Sequence, residues 1–465
     1  MANFWDFSVW GWIFLFGVLL GSLLAANVIK KSIPFLRNSL IPTSVLAGLL
    51  LVVVAAIYKA VTGDVMFDTP AFTGKGMATL EIITYHTLAL GFIASAFKTT
   101  GGKLTKQRTA EIFNTGVTTV STYLLQALVG FGITIIAAIV LKDFFAAAGV
   151  LLPFGYGQGT GQALNYGTIY ETEFGFDGGK SFGLTIAALG FLSASIGGVI
   201  HLNIAKKRGT LKKSVRDDGS TYTEEIDSEN EIPMQESIDK MTVQIALILV
   251  AYVATYLIMF ALGNLLPGMK SVIYGFNFLL GVLSATIIKV VMNFLKKKNI
   301  IKKRYTNNFL MTRACNFFFD IMVVAGIAAI RLDILENYWG IILILGVAGL
   351  IVTYIYNRIV ATTLFKDYSE EQFLAMYGML TGTASTGIIL LREVDGEFKT
   401  PASDNLVYQN FPAIVFGFPM MFLATLAPTK PILTYIIFAV FFVVMNIILF
   451  RSFIFKKRKP KNQDK

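Results

Sequence analysis

Cysteine is nearly absent: Cys315 stands alone in 465 residues. That excludes an internal disulfide and any metal site built on clustered thiolates. Histidine is scarce too, and His86 and His201 are isolated, with no companion that would make a metal site. Charge is the third shortage. Only 15% of residues are charged, against about 25% in a soluble domain. Hydrophobic residues make up 55%. They gather into segments of about 20 that recur from end to end, the length that crosses a bilayer as a helix. The chain therefore reads as a polytopic helical membrane protein. Its net charge of +11 does not point to nucleic acid, because the lysines and arginines sit in short runs between apolar spans, where they orient a membrane protein.

Spans are expected at about 7–29, 39–61, 77–98, 111–141 and 180–204, then at about 241–266, 271–295, 314–332, 338–361 and 404–427, with a last one at about 432–455. The first outlasts a signal-peptide core, and Asp6 precedes it where a signal carries positive charge, so it is expected to stay as a span. Between the two sets lies the hydrophilic stretch 205–240. It begins basic (Lys206, Lys207, Arg208) and turns acidic (Glu224, Glu225, Asp227). With few large apolar side chains it cannot bury a core and reads as a solvated linker. Residues 456–465 form a basic tail. Of the 40 lysines and arginines, 31 fall in one alternating set of loops, 7 in the other and 2 within spans. The bias places the N-terminus outside and the C-terminus in the cytoplasm of a cell-membrane protein.

Two apolar stretches cannot be plain helices. In Leu152 to Gly167, Pro153 lacks an N–H and four glycines fall between 155 and 161. The second is Ala375 to Gly387. Irregular backbone survives at membrane depth only where protein buries it or where it lines a wet cavity. Both are expected to be re-entrant hairpins, at about 144–171 and 366–392, with Gly159 and Gly382 standing 223 residues apart. Five spans and one hairpin precede the linker, and five spans and one hairpin follow it. An odd number of crossings inverts the second set, so the hairpins enter from opposite sides. The expected fold is all-α: an inverted repeat (1–204 and 241–427) plus an extra C-terminal transmembrane helix, eleven spans in all. That is the architecture of secondary transporters, with the binding site at the paired breaks.

The chemistry fits small anions. Gly159-Thr160-Gly161 opens a half-helix whose first amides lack intrahelical partners and, with the dipole behind them, attract a carboxylate. Gln158 precedes them. Gly382, Thr383, Ser385 and Thr386 repeat the parts in the second hairpin, and Arg392 ends it near a membrane face, where it can pair with a substrate carboxylate or simply orient the chain. Carbonyls and hydroxyls freed by the breaks, at Gly157 and Thr381, together with Asp320 and Asn410, offer the oxygen ligands that sodium takes. Small residues for close helix packing are the plainer reading of one such motif; two at matching positions favour a site. Asp320 lies within its span and either binds an ion or pairs with a cation. Glu81 and Glu111 lie near span ends. The span carrying Asn114, Thr118, Thr119, Ser121, Thr122 and Gln126 is too polar to face lipid and is expected to face the hairpins. No cluster points to a membrane enzyme, and a channel is the other class left open.

These motifs resemble those of the bacterial glutamate:sodium symporters. Pro153, the turn Gly157-Gln158-Gly159-Thr160-Gly161, the corner Glu173-Phe174-Gly175-Phe176, the stretch Tyr377 to Ile388, Pro412 and the run from Gly91-Phe92 to Lys98-Thr99-Thr100-Gly101-Gly102-Lys103 carry the likeness. It covers roughly residues 5–427. Gln158 stands where family members have histidine, the second hairpin lacks their proline, and the 432–455 helix is additional. The resemblance implies sodium-coupled uptake of glutamate through a homodimer, one domain moving like an elevator against a fixed scaffold. Sodium is then the coupling ion, with no other cofactor, and lipid the surroundings. Carriage of another carboxylate solute, with protons or sodium, is the alternative.

Overall fold

The computed structural model describes residues 3–98, 105–208, 237–395 and 399–454. Most of the 205–240 linker, the motif residues Thr99 to Lys103 and the tail 456–465 lie outside the described residues. The described chain is helical, with no β-strand. Its first part runs through α1 (Phe7–Ser32), α2 (Pro34–Arg37), α3 (Thr43–Thr62), α4 (Gly76–Phe97), α5 (Lys106–Val140), α6 (Leu151–Tyr156), α7 (Gly159–Phe174) and α8 (Gly179–Lys207). After the linker come α9 (Lys240–Leu265), α10 (Lys270–Gly275), α11 (Asn277–Lys297), α12 (Asn308–Ala328), α13 (Trp339–Leu364), α14 (Ser369–Thr381) and α15 (Ala384–Arg392). The chain ends in α16 (Ala402–Tyr408), α17 (Asn410–Leu426), α18 (Pro431–Leu449) and α19 (Arg451–Ile454). Among the described residues ten helices are long and apolar enough to cross a membrane, and α16 with α17, bent by 50°, makes an eleventh if counted as one crossing. The bend precedes Pro412, which has no N–H to continue the helix ladder.

The helices pack in two groups. In one, α4 lies against α12, α3 and α1 extend from α12, and α11 and α9 extend from α4. In the other, α5 crosses α13, α6 and α7 lie on α8, and α14 packs on α13 and α8, while α17 and α18 lean on α5. Lys59 and Asp333 pair at 3.0 Å near the end of α3. Many packing pairs have a counterpart: α1 on α3 and α9 on α11, α3 on α12 and α11 on α4, α5 on α17 and α13 on α8.

The hairpins are anchored at opposite ends of α5. Near its C-terminal end, the Thr134 hydroxyl donates to Ala146 O (2.6 Å) and accepts from Gly149 N (3.0 Å). There Gly130 and Gly149 bring two backbones together: a Cβ on Gly149 would lie 1.9 Å from Gly130 O. Near its N-terminal end, Tyr368 Oη donates to Glu111 Oε2 (2.9 Å) and Gln372 Nε2 to Thr115 Oγ1 (3.2 Å). Glu111 and Thr134 are separated by roughly 35 Å at 1.5 Å rise per residue, a little more than the hydrocarbon core of about 30 Å. Pro153 does not break the first hairpin. It sits in the first turn of α6, where an amide would have no intrahelical partner anyway. The break falls at Gly157 and Gln158 instead.

Candidate functional site

The two breaks meet. Gly159 holds φ +78°, a left-handed conformation that glycine adopts without strain. A Cβ built there would stand 3.3 Å from Thr383 Cγ2 and 3.6 Å from Gly382 O, so the tips of the hairpins touch. Polar side chains of α5 brace both. Tyr123 Oη donates to Gly157 O (3.1 Å). Gln126 Nε2 donates to Leu380 O and to Thr353 Oγ1, both at 2.9 Å. Leu380 O is one of the carbonyls that the end of α14 leaves without a helical partner. Thr119 Oγ1 donates to Gln409 Oε1 (2.8 Å) just before the α16–α17 bend. The polar span thus faces the hairpins, as its composition requires. Thr118 and Thr122 bond back to their own helix, at Asn114 O and Thr118 O.

Below the tips lies a cavity of about 740 Å³, walled by both helix groups. Gly157 and Gln158 from the first hairpin, and Gly382, Thr383 and Ser385 from the second, line it at the tips. Ala384 and Ser385, the first residues of α15, are exposed there. Across from them, Thr312, Asn316 and Asp320 of α12 all line the cavity. Their i, i+4, i+8 spacing puts them on one helical face. Ser44 of α3 also lines the cavity, close to the Asp320 carboxylate. Lys98, Arg392 and Asp404 line it toward the end of the bundle where α5 begins. The lining therefore offers both signs of charge, uncapped helical amides and side-chain oxygens, enough to hold a small zwitterion with an extra carboxylate.

The expected site residues divide between cavity and packing. Gly157, Gln158, Gly382, Thr383, Ser385, Arg392, Asp320 and Asn410 line the cavity. Gly159, Thr160, Gly161, Thr381 and Thr386 are buried behind it. Thr160 does not cap α7: it lies in the first turn, donates to Met322 O (3.3 Å) and packs on Gly326 of α12. Gly161 faces Leu88 of α4. Thr381 Oγ1 donates to Tyr377 O (2.6 Å). The Asn410 side-chain oxygen accepts from Gln409 Nε2 (2.9 Å). Sequence reasoning missed Gln162, which lines the cavity while only 2% exposed. Its amide nitrogen has no hydrogen-bond partner among the described residues, a cost that a bound acceptor would relieve. It also missed Asn316, Thr312 and Ser44. Spacing from Asp320 pointed to the first two; nothing in the apolar run around it singled out Ser44.

Ionisable groups outside the cavity tie the hairpins to their surroundings. Lys180 at the start of α8 pairs with Glu81 of α4 (3.0 Å) and Glu171 of α7 (3.7 Å). Glu173 Oε1 accepts from Ser271 Oγ (2.6 Å). At the other end, Arg108 pairs with Glu111, and Glu370 of α14 bridges His201 Nε2 and Arg358 Nη2, both at 2.7 Å. His86 Nδ1 lies 2.6 Å from Tyr252 Oη. Both histidines thus have structural partners.

A comparison with curated proteins finds none that matches the chain. A family model described as sodium/glutamate symporter matches residues 14–400, taking in both hairpins and every helix from α3 to α15. Membership of that family implies sodium-coupled transport, in keeping with two hairpin tips that meet over a cavity carrying charged and polar groups in an apolar helical bundle. The chain belongs to the sodium/glutamate symporter family.

Proposed function

We propose that the protein is a secondary active transporter that carries glutamate, or a similar small anionic amino acid, together with sodium. The observation that carries this reading is the contact of the tips at Gly159 and Thr383 above a cavity walled by both helix groups. The substrate carboxylates are held by the first amides of α15, Ser385 and Arg392, with Gln158 and Gln162 opposite, while its ammonium group lies toward Asp320. Gly159, Thr160, Gly161 and Thr386 set the shape of the tips from behind. Sodium takes oxygens from Asp320, Asn410 and Gly157. The matched packing pairs and the hairpins anchored at opposite ends of α5 support an inverted repeat of five spans and one hairpin in each half, with the C-terminal helix as an eleventh span. The charge bias among loops supports an outer N-terminus and a cytoplasmic C-terminus in the cell membrane. Transport follows an elevator course, α5–α8 and α13–α17 moving against α1–α4 and α9–α12 in each subunit of a homodimer.

Uptake of radiolabelled amino acids and dicarboxylates into vesicles containing the purified protein tests the reading. Glutamate uptake is expected to require a sodium gradient and to fall at least tenfold in Asp320→Asn. Uptake that survives replacement of sodium by choline and stops when the pH gradient collapses would replace sodium by protons. A panel in which another carboxylate outcompetes glutamate would reassign the substrate. Sustained, non-saturating ion current would make the protein a channel.

A further inference from the structure

His86 belongs to a wall helix of the cavity but does not line it. It lies near the middle of α4, roughly 15 Å from either helix end at 1.5 Å per residue. That places it close to the midplane of a hydrocarbon core about 30 Å thick. Leu88 and Phe92 of the same helix do line the cavity. At 100° per residue His86 stands about 200° and 240° round from them, on the opposite side of α4, and it is exposed there. Ala78 and Ile82, eight and four residues earlier, are exposed as well, so the three form one stripe along the helix. One ring nitrogen is accounted for: Nδ1 lies 2.6 Å from Tyr252 Oη of α9. The other, Nε2, has no partner among the described residues.

Hydrocarbon has nothing to offer that nitrogen. Ionisable side chains at this depth face a bundle interior or a wet cavity, or pair with another polar group, because a polar atom left bare in an apolar medium costs free energy that a hydrogen bond recovers. Whatever covers the stripe must therefore bring a polar group to the midplane, which acyl chains cannot do and another transmembrane face can. A second copy of this chain meets the requirement. In a two-fold contact the same patch serves both subunits, so each Nε2 meets the polar groups of the other's patch. Tyr256, one turn along α9 from Tyr252, is exposed and carries a hydroxyl that both donates and accepts; the second imidazole is the other partner available. Both helices belong to the group that stays fixed in the proposed elevator course, so a pair joined here leaves both moving groups free to travel. On the basis of the homodimer proposed above, we infer that the α4 stripe and the adjoining face of α9 are where the two subunits meet, with His86 hydrogen-bonded across the contact.

The test uses the full-length protein in lipid vesicles. Nitroxide labels go on single cysteines in a Cys315→Ala background, at Ile82→Cys in the stripe or at Val347→Cys on α13 of the moving group, both exposed positions. Pulsed dipolar spectroscopy reads the distance between the two copies. Labels at Ile82 are expected within about 25 Å of each other, roughly two helix diameters, and labels at Val347 beyond about 40 Å, with several helix layers between them. Two further variants separate the free nitrogen from the bonded one. His86→Leu should weaken the dimer about fivefold to thirtyfold, the worth of one hydrogen bond between membrane helices, read by dilution in vesicles. Tyr252→Phe removes the partner within the subunit, leaves Nε2 in place, and should weaken the dimer less than about twofold. Labels at Ile82 no closer than those at Val347, or no coupling at either position, would overturn the proposal. Equal weakening in both variants would reduce His86 to a packing residue of its own subunit, and no weakening in His86→Leu would remove it from the contact; each result refutes the assignment. Glutamate uptake is measured in the same vesicles. Sodium-driven uptake with distant Ile82 labels sinks the interface alone, whereas close labels without uptake leave the interface and sink the transport reading.

Discussion

Replacing Gly159 by alanine tests the contact between the tips most directly. Its φ of +78° costs an L-residue about 1–2 kcal/mol. The new methyl would also meet Thr383 Cγ2 at 3.3 Å, tight enough that the second hairpin must yield slightly. Together these disfavour the closed arrangement by about 2 kcal/mol. If the tips relieve the strain by parting, apparent substrate affinity falls by up to about 25-fold. Gly175 provides the control. Its φ is +69°, and nothing lies within 4 Å of a Cβ added there. Gly175→Ala therefore carries a similar backbone strain at the base of the same hairpin without touching the site. Both variants should lower thermal stability in detergent by a similar amount. Only Gly159→Ala should raise the KM for uptake, and Thr383→Ser, which removes the methyl in contact, should recover part of that loss. A KM that rises equally in both glycine variants would mean that general destabilisation explains the effect. An unchanged KM in Gly159→Ala would remove the tips from the site.

Three other variants probe the surroundings. Gln162→Leu removes a buried amide nitrogen without a partner among the described residues. The substrate-free protein should hold its stability or gain up to about 1 kcal/mol while glutamate affinity drops about tenfold; loss of stability with unchanged affinity would make Gln162 a packing residue. Glu81→Gln breaks the pair with Lys180, whose side chains are 18% and 24% exposed. A partly exposed pair is worth about 0.5–1 kcal/mol, so a cysteine at Gln158, in a Cys315→Ala background, should be labelled about two- to fivefold faster by an impermeant maleimide added on the Lys180 side. Glu370→Gln takes the shared carboxylate from His201 and Arg358. With Arg358 29% exposed, the loss should be about 2–3 kcal/mol, below the figure for a fully buried pair, and is read as a lower unfolding midpoint.

The two helix breaks were legible because glycine and proline within apolar runs conflict with both helix propensity and the cost of bare backbone in lipid. The second was expected at 366–392, where α14 and α15 lie, and the first at 144–171, close to α6 and α7. Orientation around each break was not legible. A helix turns 100° per residue, so Thr160 and Gln162 point to nearly opposite sides of α7, and an error of two residues in where it begins decides which of them faces the cavity. Pro153 and the four glycines mark the stretch without saying where in it the chain turns; a proline in a first turn leaves the helix intact, and the turn comes four residues later. The Thr381 hydroxyl illustrates a second limit. A threonine near a helix end serves a ligand or its own backbone equally well by sequence, and here it bonds to Tyr377 O.

The distribution of ties between the two helix groups says which way the cavity faces. Lys180 to Glu81, Ser271 to Glu173 and Asn165 Nδ2 to Gly275 O (3.1 Å) all join the first hairpin and α8 to α4 and α10 at one end of the bundle. The cavity begins at Leu88, halfway along α4, and continues to Lys98 beyond its C-terminus, beside Arg392 and Asp404. One end is thus fastened while the other is open, and the open end is the one rich in basic loops. Each tie is a partly exposed ion pair or a single hydrogen bond, worth about 0.5–1.5 kcal/mol, so three of them hold the fastened end by only about 2–4 kcal/mol. Binding a substrate and an ion at micromolar affinity is worth about 8 kcal/mol. A fraction of that, applied differently in the two states, is enough to undo one set of ties and form another. The weak contacts at the Lys180 end therefore suit the elevator course proposed above, in which the bundle opens on both sides in turn.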